Sequence, residues 1–419
     1  MTSKISDQIR GCLFGGAVGD ALGYPIEFRR EYEIFHRYGK RGISQYSLDY
    51  DTGEAIISDD TQMALFTANA VLVHQTNTAQ MRRLEKVLPE DAASDMRYCQ
   101  ARACDDWLTT QRETFWGART QRIRSGEKAF SWLLNVQELF DLRAPGNSCL
   151  AALEARRRKQ DFQGSFVDHP VNQSKGCGGI MRIAPIALIP DPELPIEWID
   201  REAAQASAVT HGHSLGYLTS AVLAHVIRRI VFPPEEKPME LKDIILEAKE
   251  TVSELFRGDP HVDRLRDIID LAVLLADPDD LGEGIRAPQG KNKDTNRHGV
   301  QSAQEAFDKD LENIHMLGEG WVAEETLGIA LYCALRHQDD FSAGVIASVN
   351  HKGDSDSTGA VTGNILGALH GYDAIEEKWK NNLELSGVIL EIADDLAHSG
   401  SITPDDLREG SAWMEKYGL

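Results

Sequence analysis

Aromatic residues make up only 7% of this 419-residue chain. Sheets favour aromatic and β-branched side chains, and Ala and Leu are plentiful here, so the composition favours helices. No stretch shows convincing strand alternation, and no motif recurs at a fixed period. No apolar run reaches the roughly 20 residues that a membrane span needs. The opening residues, MTSKISDQIR, lack the charge-then-apolar pattern of a signal peptide. The six cysteines, Cys12, Cys99, Cys104, Cys149, Cys177 and Cys333, form no CxxC pair and no zinc spacing. They fit reduced thiols in a soluble cytoplasmic protein. Positive charge is scarce: 44 Lys and Arg stand against 66 Asp and Glu, for a formal net charge of −22. Such a surface repels phosphates and anionic lipid, which argues against nucleic acid or membrane as partner. Part of that negative charge is available to hold cations.

Apolar residues at 42% and charged residues at 26% are ordinary globular usage, so a large core can be buried. Length alone would permit two or three domains. Gly11, Gly15, Gly19 and Gly23 recur every four residues, as do Gly359, Gly363 and Gly367. On a helix that spacing makes one smooth stripe. Each helical Gly costs about 1 kcal/mol relative to Ala, so the repetition implies close packing against another backbone. The economical expectation is that the two stripes meet at the centre, closing residues 1–419 into one domain. Other helices are expected at 61–74, at 200–231 with a break near Thr210–Ser214, at 233–258, at 262–276 and at 321–337. The polar stretch 287–304 reads as a loop, and 155–175 is another polar stretch. Residues 233–316 look like inserted material.

Several clusters could carry chemistry. Ser58-Asp59-Asp60-Thr61 precedes a helix, where Ser and Asp cap free backbone N–H groups. Gly353-Asp354-Ser355-Asp356-Ser357-Thr358 does the same, but its paired carboxylates and hydroxyls exceed what a cap requires. Hard oxygens of this kind suit Mg2+, Mn2+ or Ca2+ better than zinc. The helix macrodipole opposes a cation at an N-terminus, which is one reason for several carboxylates there. Glu27 follows Gly19-Asp20-Ala21-Leu22-Gly23 and is either a salt-bridged acid at a helix end or a carboxylate turned toward these clusters. The loop Ser174-Lys175-Gly176-Cys177-Gly178-Gly179 is a turn or an anion cradle. His211, beside Gly212 and His213, is structural or flanks a planar ligand.

Together these residues resemble the ADP-ribosylglycohydrolase family. The motifs IRGCLFGGAVGDALGYPIEF, ISDDTQMAL, RAPGNS, SKGCGGIMRIAP, VTHGHSLGY, GWVAEETLGIALYCAL and GDSDSTGAVTGNILGALHGY follow in the family's order. The resemblance implies a compact all-α fold with a central binuclear site for two Mg2+, or Mn2+. It implies Ser58, Asp59, Asp60, Asp354, Asp356 and Ser357 as metal ligands. It further implies Glu27, Asp59 or Asp356 for proton transfer, and Ser174, Gly176, Cys177, Gly178 and His211 for substrate. The implied reaction removes ADP-ribose from an ADP-ribosylated protein, most closely one modified on arginine, and releases ADP-ribose. Lys352 stands where relatives commonly carry Gly, and Lys175 and Cys177 stand where some carry an aromatic and an Asn. The rival readings are a two-metal nucleotide pyrophosphohydrolase, which would release AMP, and a non-catalytic ADP-ribose-binding relative. The sequence sets no oligomeric state.

Overall fold

The computed structural model describes residues 3–83, 92–126, 128–191, 193–234, 239–277 and 303–419. Helices account for its regular structure. The first half carries α1 (Ser3–Gly23), α2 (Glu31–Tyr38), α3 (Asp59–Arg83), α4 (Ala92–Arg112), α5 (Phe115–Ser125), α6 (Asn147–Lys159), α7 (Ala184–Ala187) and α8 (Ile196–Ala208). The second half carries α9 (Ser214–Val231), α10 (Leu241–Leu255), α11 (Val262–Ala276), α12 (Ala303–Leu317), α13 (Ala323–Arg336), α14 (Phe341–Val349) and α15 (Ser355–His370). The short α16 (Glu377–Lys380), α17 (Ser386–His398) and α18 (Ala412–Tyr417) complete it. Among the described residues the only strand-like pairings are isolated bridges, Ala55 with Leu383 and Gly176 with Val322. No helix among them is long and apolar enough to cross a membrane.

The two glycine stripes meet. They pair in antiparallel order, Gly11 with Gly367, Gly15 with Gly363, Gly19 with Gly359, and Gly23 with Ser355. A Cβ on Gly11 would stand 2.2 Å from the Gly367 carbonyl oxygen, and one on Gly367 would stand 2.0 Å from the Gly11 carbonyl oxygen. Only hydrogen fits between these backbones. Asn364 adds a tie across the seam, donating from Nδ2 to the Cys12 carbonyl at 2.8 Å. Gln8 donates to the carbonyl of Ala368 at 3.0 Å.

Helices α3 and α17 pack on this axis and on each other, and α13 packs on it together with its neighbours α9 and α14. One continuous apolar cluster runs through them from Ile9 to Tyr417. The expected break between α8 and α9 is present, and His213 caps α9 by accepting from the Leu215 N–H at 3.1 Å. Helices α10 and α11 are amphipathic, burying Ile244, Ile245 and Val252, and Leu265, Ile268 and Ile269. The expected loop at 287–304 lies outside the described residues except for 303 and 304, which open α12 instead. There Ile314 and Leu317 bury an apolar face, and Asp310 and Asn313 meet Tyr332 of α13.

Candidate metal and catalytic centre

The seam fixes what lies at its end. The antiparallel register sets the C-terminus of α1 beside the N-terminus of α15, so Asp20 and Glu27 arrive next to Asp354 and Asp356. Helix α3 brings its own N-terminus to the same point, with Ser58, Asp59 and Asp60. All of these residues are buried, Ser58 at 0% and Glu27 at 9% exposure.

Asp20 organises the α3 end. Its carboxylate accepts from the Ser58 N–H at 2.9 Å, the Thr61 N–H at 3.1 Å and the Thr61 hydroxyl at 2.5 Å. Ser58 Oγ accepts from the Asp60 N–H at 3.1 Å, so the expected cap exists as well. Asp59 is steadied by the RAPGNS segment, donating its N–H to the Arg143 carbonyl at 3.0 Å and accepting from the Gly146 N–H at 3.4 Å. Arg143 is pinned by Glu384 at 2.8 Å, and Glu384 also accepts from the Ile57 N–H at 3.0 Å. On α15 the Asp354 and Asp356 carboxylates both accept from the Ser357 N–H, at 3.2 and 3.1 Å. Capping therefore uses only part of each acidic cluster.

The remaining oxygens point inward. Glu27, Asp354 and Asp356 each offer an oxygen within 4.8 Å of the others. Glu27 Oε2 and Asp60 Oδ2 are buried without a hydrogen-bond partner. Among the described residues no Lys, Arg or His forms a salt bridge with Asp20, Glu27, Asp59, Asp60, Asp354 or Asp356. Burial first, then the charges of Asp354 and Asp59, push the Glu27 carboxyl up to about 9. Burial also holds Asp59, Asp60 and Asp356 well above the usual carboxylate range, and neighbouring carboxylates add to the effect. Asp20 is pushed to about 6 by burial, against the pull of its hydrogen bonds to Thr61 and Ser58. Uncompensated buried carboxylates are costly unless they meet cations. Orphaned hard oxygens in this number fit a divalent metal.

The Gly-rich loop lies across from α15. Ser174 Oγ donates to Ser148 Oγ at 2.9 Å, and the Lys175 carbonyl accepts from the Ala323 N–H at 2.9 Å. Lys175 turns to the buried Glu324. Cys177 Sγ reaches Asp354 Oδ2 at 2.7 Å. His211 is buried behind the loop, where a Cβ on Gly178 would lie 2.9 Å from its ring. Burial pushes His211 down to about 3, leaving it neutral, and Nδ1 meets the Thr210 hydroxyl at 2.9 Å. At the rim, Phe28 and Trp321 stack with centroids 5.4 Å apart.

Asp20, Arg143 and Glu384 escaped the sequence reading as functional positions. The RAPGNS motif was a signal for Arg143. Glu384 had none, because its partners lie far away in the chain.

A model described as ADP-ribosylglycohydrolase matches residues 1–404. The chain is 24% identical to an uncharacterized protein, YegU, of Escherichia coli, covering 90% of this chain and 92% of that one. It is 23% identical to ADP-ribosylhydrolase ARH3 of Homo sapiens, covering 90% and 89%. It is 22% identical to ADP-ribosylarginine hydrolase Tri1 of Serratia proteamaculans, covering 94% and 80%. A solved structure described as an ADP-ribosylglycohydrolase-related protein complex matches with a TM-score of 0.54 and 21% identity, covering 95% of this chain and 100% of that one, and shows the same fold. This chain belongs to the ADP-ribosylglycohydrolase family, hydrolases that remove ADP-ribose from a modified substrate.

Proposed function

We propose that the chain hydrolyses the bond between ADP-ribose and an arginine side chain of a modified protein, using two divalent cations, Mg2+ first and Mn2+ as substitute. The observation that carries this reading is the set of buried carboxylates, with Asp60 Oδ2 and Glu27 Oε2 unpartnered. A fold with no use for cations would gain stability by replacing such residues. Ser58, Asp59 and Asp60 are assigned to one side of the centre, and Asp354, Asp356 and Ser357 to the other. When bound, two such ions orient the ribose hydroxyls and acidify a water.

Glu27 is assigned to proton transfer, with Asp59 and Asp356 as alternatives. It offers an oxygen within 4.8 Å of those of Asp354 and Asp356, and its Oε2 has no hydrogen-bond partner. Such help is typically worth 10²–10⁴-fold. The loop at Ser174, Gly176, Cys177 and Gly178 is assigned to the pyrophosphate. Within the loop the N–H groups of Ser174, Gly176 and Cys177 are bonded to Asn172 Oδ1, Ser174 Oγ and the Trp321 carbonyl, so Gly178, inside the short 3-10 helix Cys177–Gly179, is the N–H left to face a phosphate. Fixing the phosphates fixes ribose C1″ at the carboxylates. His211 backs the loop as a neutral ring. The arginine linkage is supported by the likeness to a relative named as an ADP-ribosylarginine hydrolase. The six cysteines, unpaired in the fold, suit the cytoplasm.

The test is product analysis by mass spectrometry on a protein ADP-ribosylated at arginine, with Mg2+ and then with EDTA. Intact ADP-ribose and unmodified protein, lost on chelation, is the expected result. AMP with a phosphoribosylated protein would replace this reading with pyrophosphate hydrolysis. Inertness toward every linkage would leave a binding protein.

A further inference from the structure

Behind the Gly-rich loop lies a buried cation that meets only neutral acceptors among the described residues. Arg182 is 1% exposed and donates to the Ala206 carbonyl at 3.1 Å, to Thr210 Oγ1 at 2.7 Å and to Met63 Sδ at 3.6 Å. Arg156, equally buried, instead reaches the carboxylate of Asp161 at 2.6 Å. A guanidinium keeps its charge in a protein, and burying it without an anion is costly. The bond to Thr210 also has a direction. A hydroxyl has a single proton to give, and Thr210 Oγ1 stands 2.9 Å from His211 Nδ1. The other acceptor in reach of that proton, the Cys149 sulfur, is a weak one. Donation from Arg182 polarises the hydroxyl and makes it the better donor. The proton therefore goes to Nδ1, and the ring keeps its own on Nε2. Burial, then the charge of Arg182, push His211 down to about 3, so the ring is neutral. Its Nε2 edge faces the loop: a Cβ would stand 3.3 Å from Nε2 on Gly176 and 3.4 Å from it on Gly178.

We propose that Arg182 is a positioning residue: through Thr210 it fixes His211 as the Nε2–H tautomer, a neutral donor turned toward an anionic oxygen of the substrate at Gly176 and Gly178. The inference rests on the assignment of this loop to the pyrophosphate. Arg182 acts from behind the ring. The glycines leave room for the Nε2 edge to be used, and the unneutralised guanidinium adds a field that favours an anion at the loop.

The experiment uses the full chain carrying nitrogen-15 histidine. Long-range proton–nitrogen NMR correlations distinguish the two neutral tautomers, and the signals of His211 are those missing from His211→Asn. ADP-ribose binding is measured by calorimetry on the same samples. The wild type should show the Nε2–H pattern. Arg182→Met frees Thr210 Oγ1 to accept from Nδ1 and should move the ring toward the Nδ1–H form. Thr210→Val keeps the shape of the side chain without its hydroxyl, and should leave both forms populated even if Arg182→Met does not fold. Both variants should bind ADP-ribose about tenfold more weakly or worse, and Thr210→Ser should restore tautomer and affinity together. A pure Nε2–H ring in Thr210→Val overturns the proposal, as does wild-type affinity in that variant. ADP-ribose binding by a wild type protonated on Nδ1 overturns the tautomer relay alone. The Nε2–H pattern in a wild type that binds no ADP-ribose overturns the pyrophosphate assignment and the donor role with it.

Discussion

Gly19→Ala adds one methyl where α1 crosses α15. That carbon would stand 1.9 Å from the Gly359 carbonyl oxygen and 2.2 Å from its carbonyl carbon. A comfortable carbon contact is about 3.5 Å, so the helices must part by roughly 1.5 Å or bend. Ala is the better helix former by about 1 kcal/mol. Overpacking costs about 1–3 kcal/mol and at times more, and here the obstacle is backbone, with no rotamer to turn away. The net loss should be about 2 kcal/mol, read by urea denaturation in EDTA. Function should suffer more, because the same movement pulls Asp20 and Glu27 away from Asp354 and Asp356. A displacement near 1 Å can cost about 10²-fold in turnover, so ADP-ribose release should fall at least that far while most molecules remain folded. Gly387→Ala is the matched control: it sits in α17 with nothing within 4 Å of the added methyl, and should be neutral or slightly stabilising. If Gly19→Ala were as stable as wild type and fully active, the register of the seam described above would be wrong.

Asp60→Asn removes a buried charge with an unpartnered oxygen. In EDTA the variant should be more stable than wild type by about 1–3 kcal/mol, while calorimetry should find divalent-cation affinity reduced about 100-fold. Glu27 is raised from 4.5 to about 9 by burial and neighbouring charge, so the metal-free fold holds a proton that the unfolded chain releases above 4.5. Its contribution to stability therefore falls as pH rises from 4.5 through 9, and Glu27→Gln should flatten that slope in thermal melts recorded in EDTA. His211 acts in the opposite sense: lowered from 6.5 to about 3, it stays neutral in the fold while the unfolded chain takes up a proton below 6.5. About 2 kcal/mol should be lost by pH 5, and His211→Asn should remove that loss in denaturation curves recorded with Mg2+. Asp20→Asn should weaken cation binding about tenfold through loss of its grip on Ser58 and Thr61, with the α3 helical signal kept in circular dichroism.

Residues whose partners lie within one helical turn were legible in the sequence. The glycines announced their stripes because a four-residue repeat of a poor helix former has few other uses. Ser58 and Asp354 announced helix starts through local capping chemistry. Asp20 was legible only as an acid near a helix end, since its partners lie 38 and 41 residues on and depend on how α1 meets α3. Cys177 and Asp354 are 177 residues apart, so no spacing in the chain announces their approach. Glu384 was silent for the same reason, tied to Ile57 across 327 residues. What converts the legible part into the rest is a single quantity, the register of α1 on α15. A slip of one four-residue step along the seam would still leave glycine facing glycine at most crossings. It would also move Glu27 about 6 Å along the axis, at 1.5 Å per residue, away from Asp354 and Asp356. Packing of the glycines alone therefore underdetermines the register. The ties that discriminate between steps are side-chain contacts made at one position only, Asn364 on the Cys12 carbonyl beside Gly16 and Gln8 on the Ala368 carbonyl. These amides hold the seam and are not among the carboxylates, yet they determine whether the carboxylates converge.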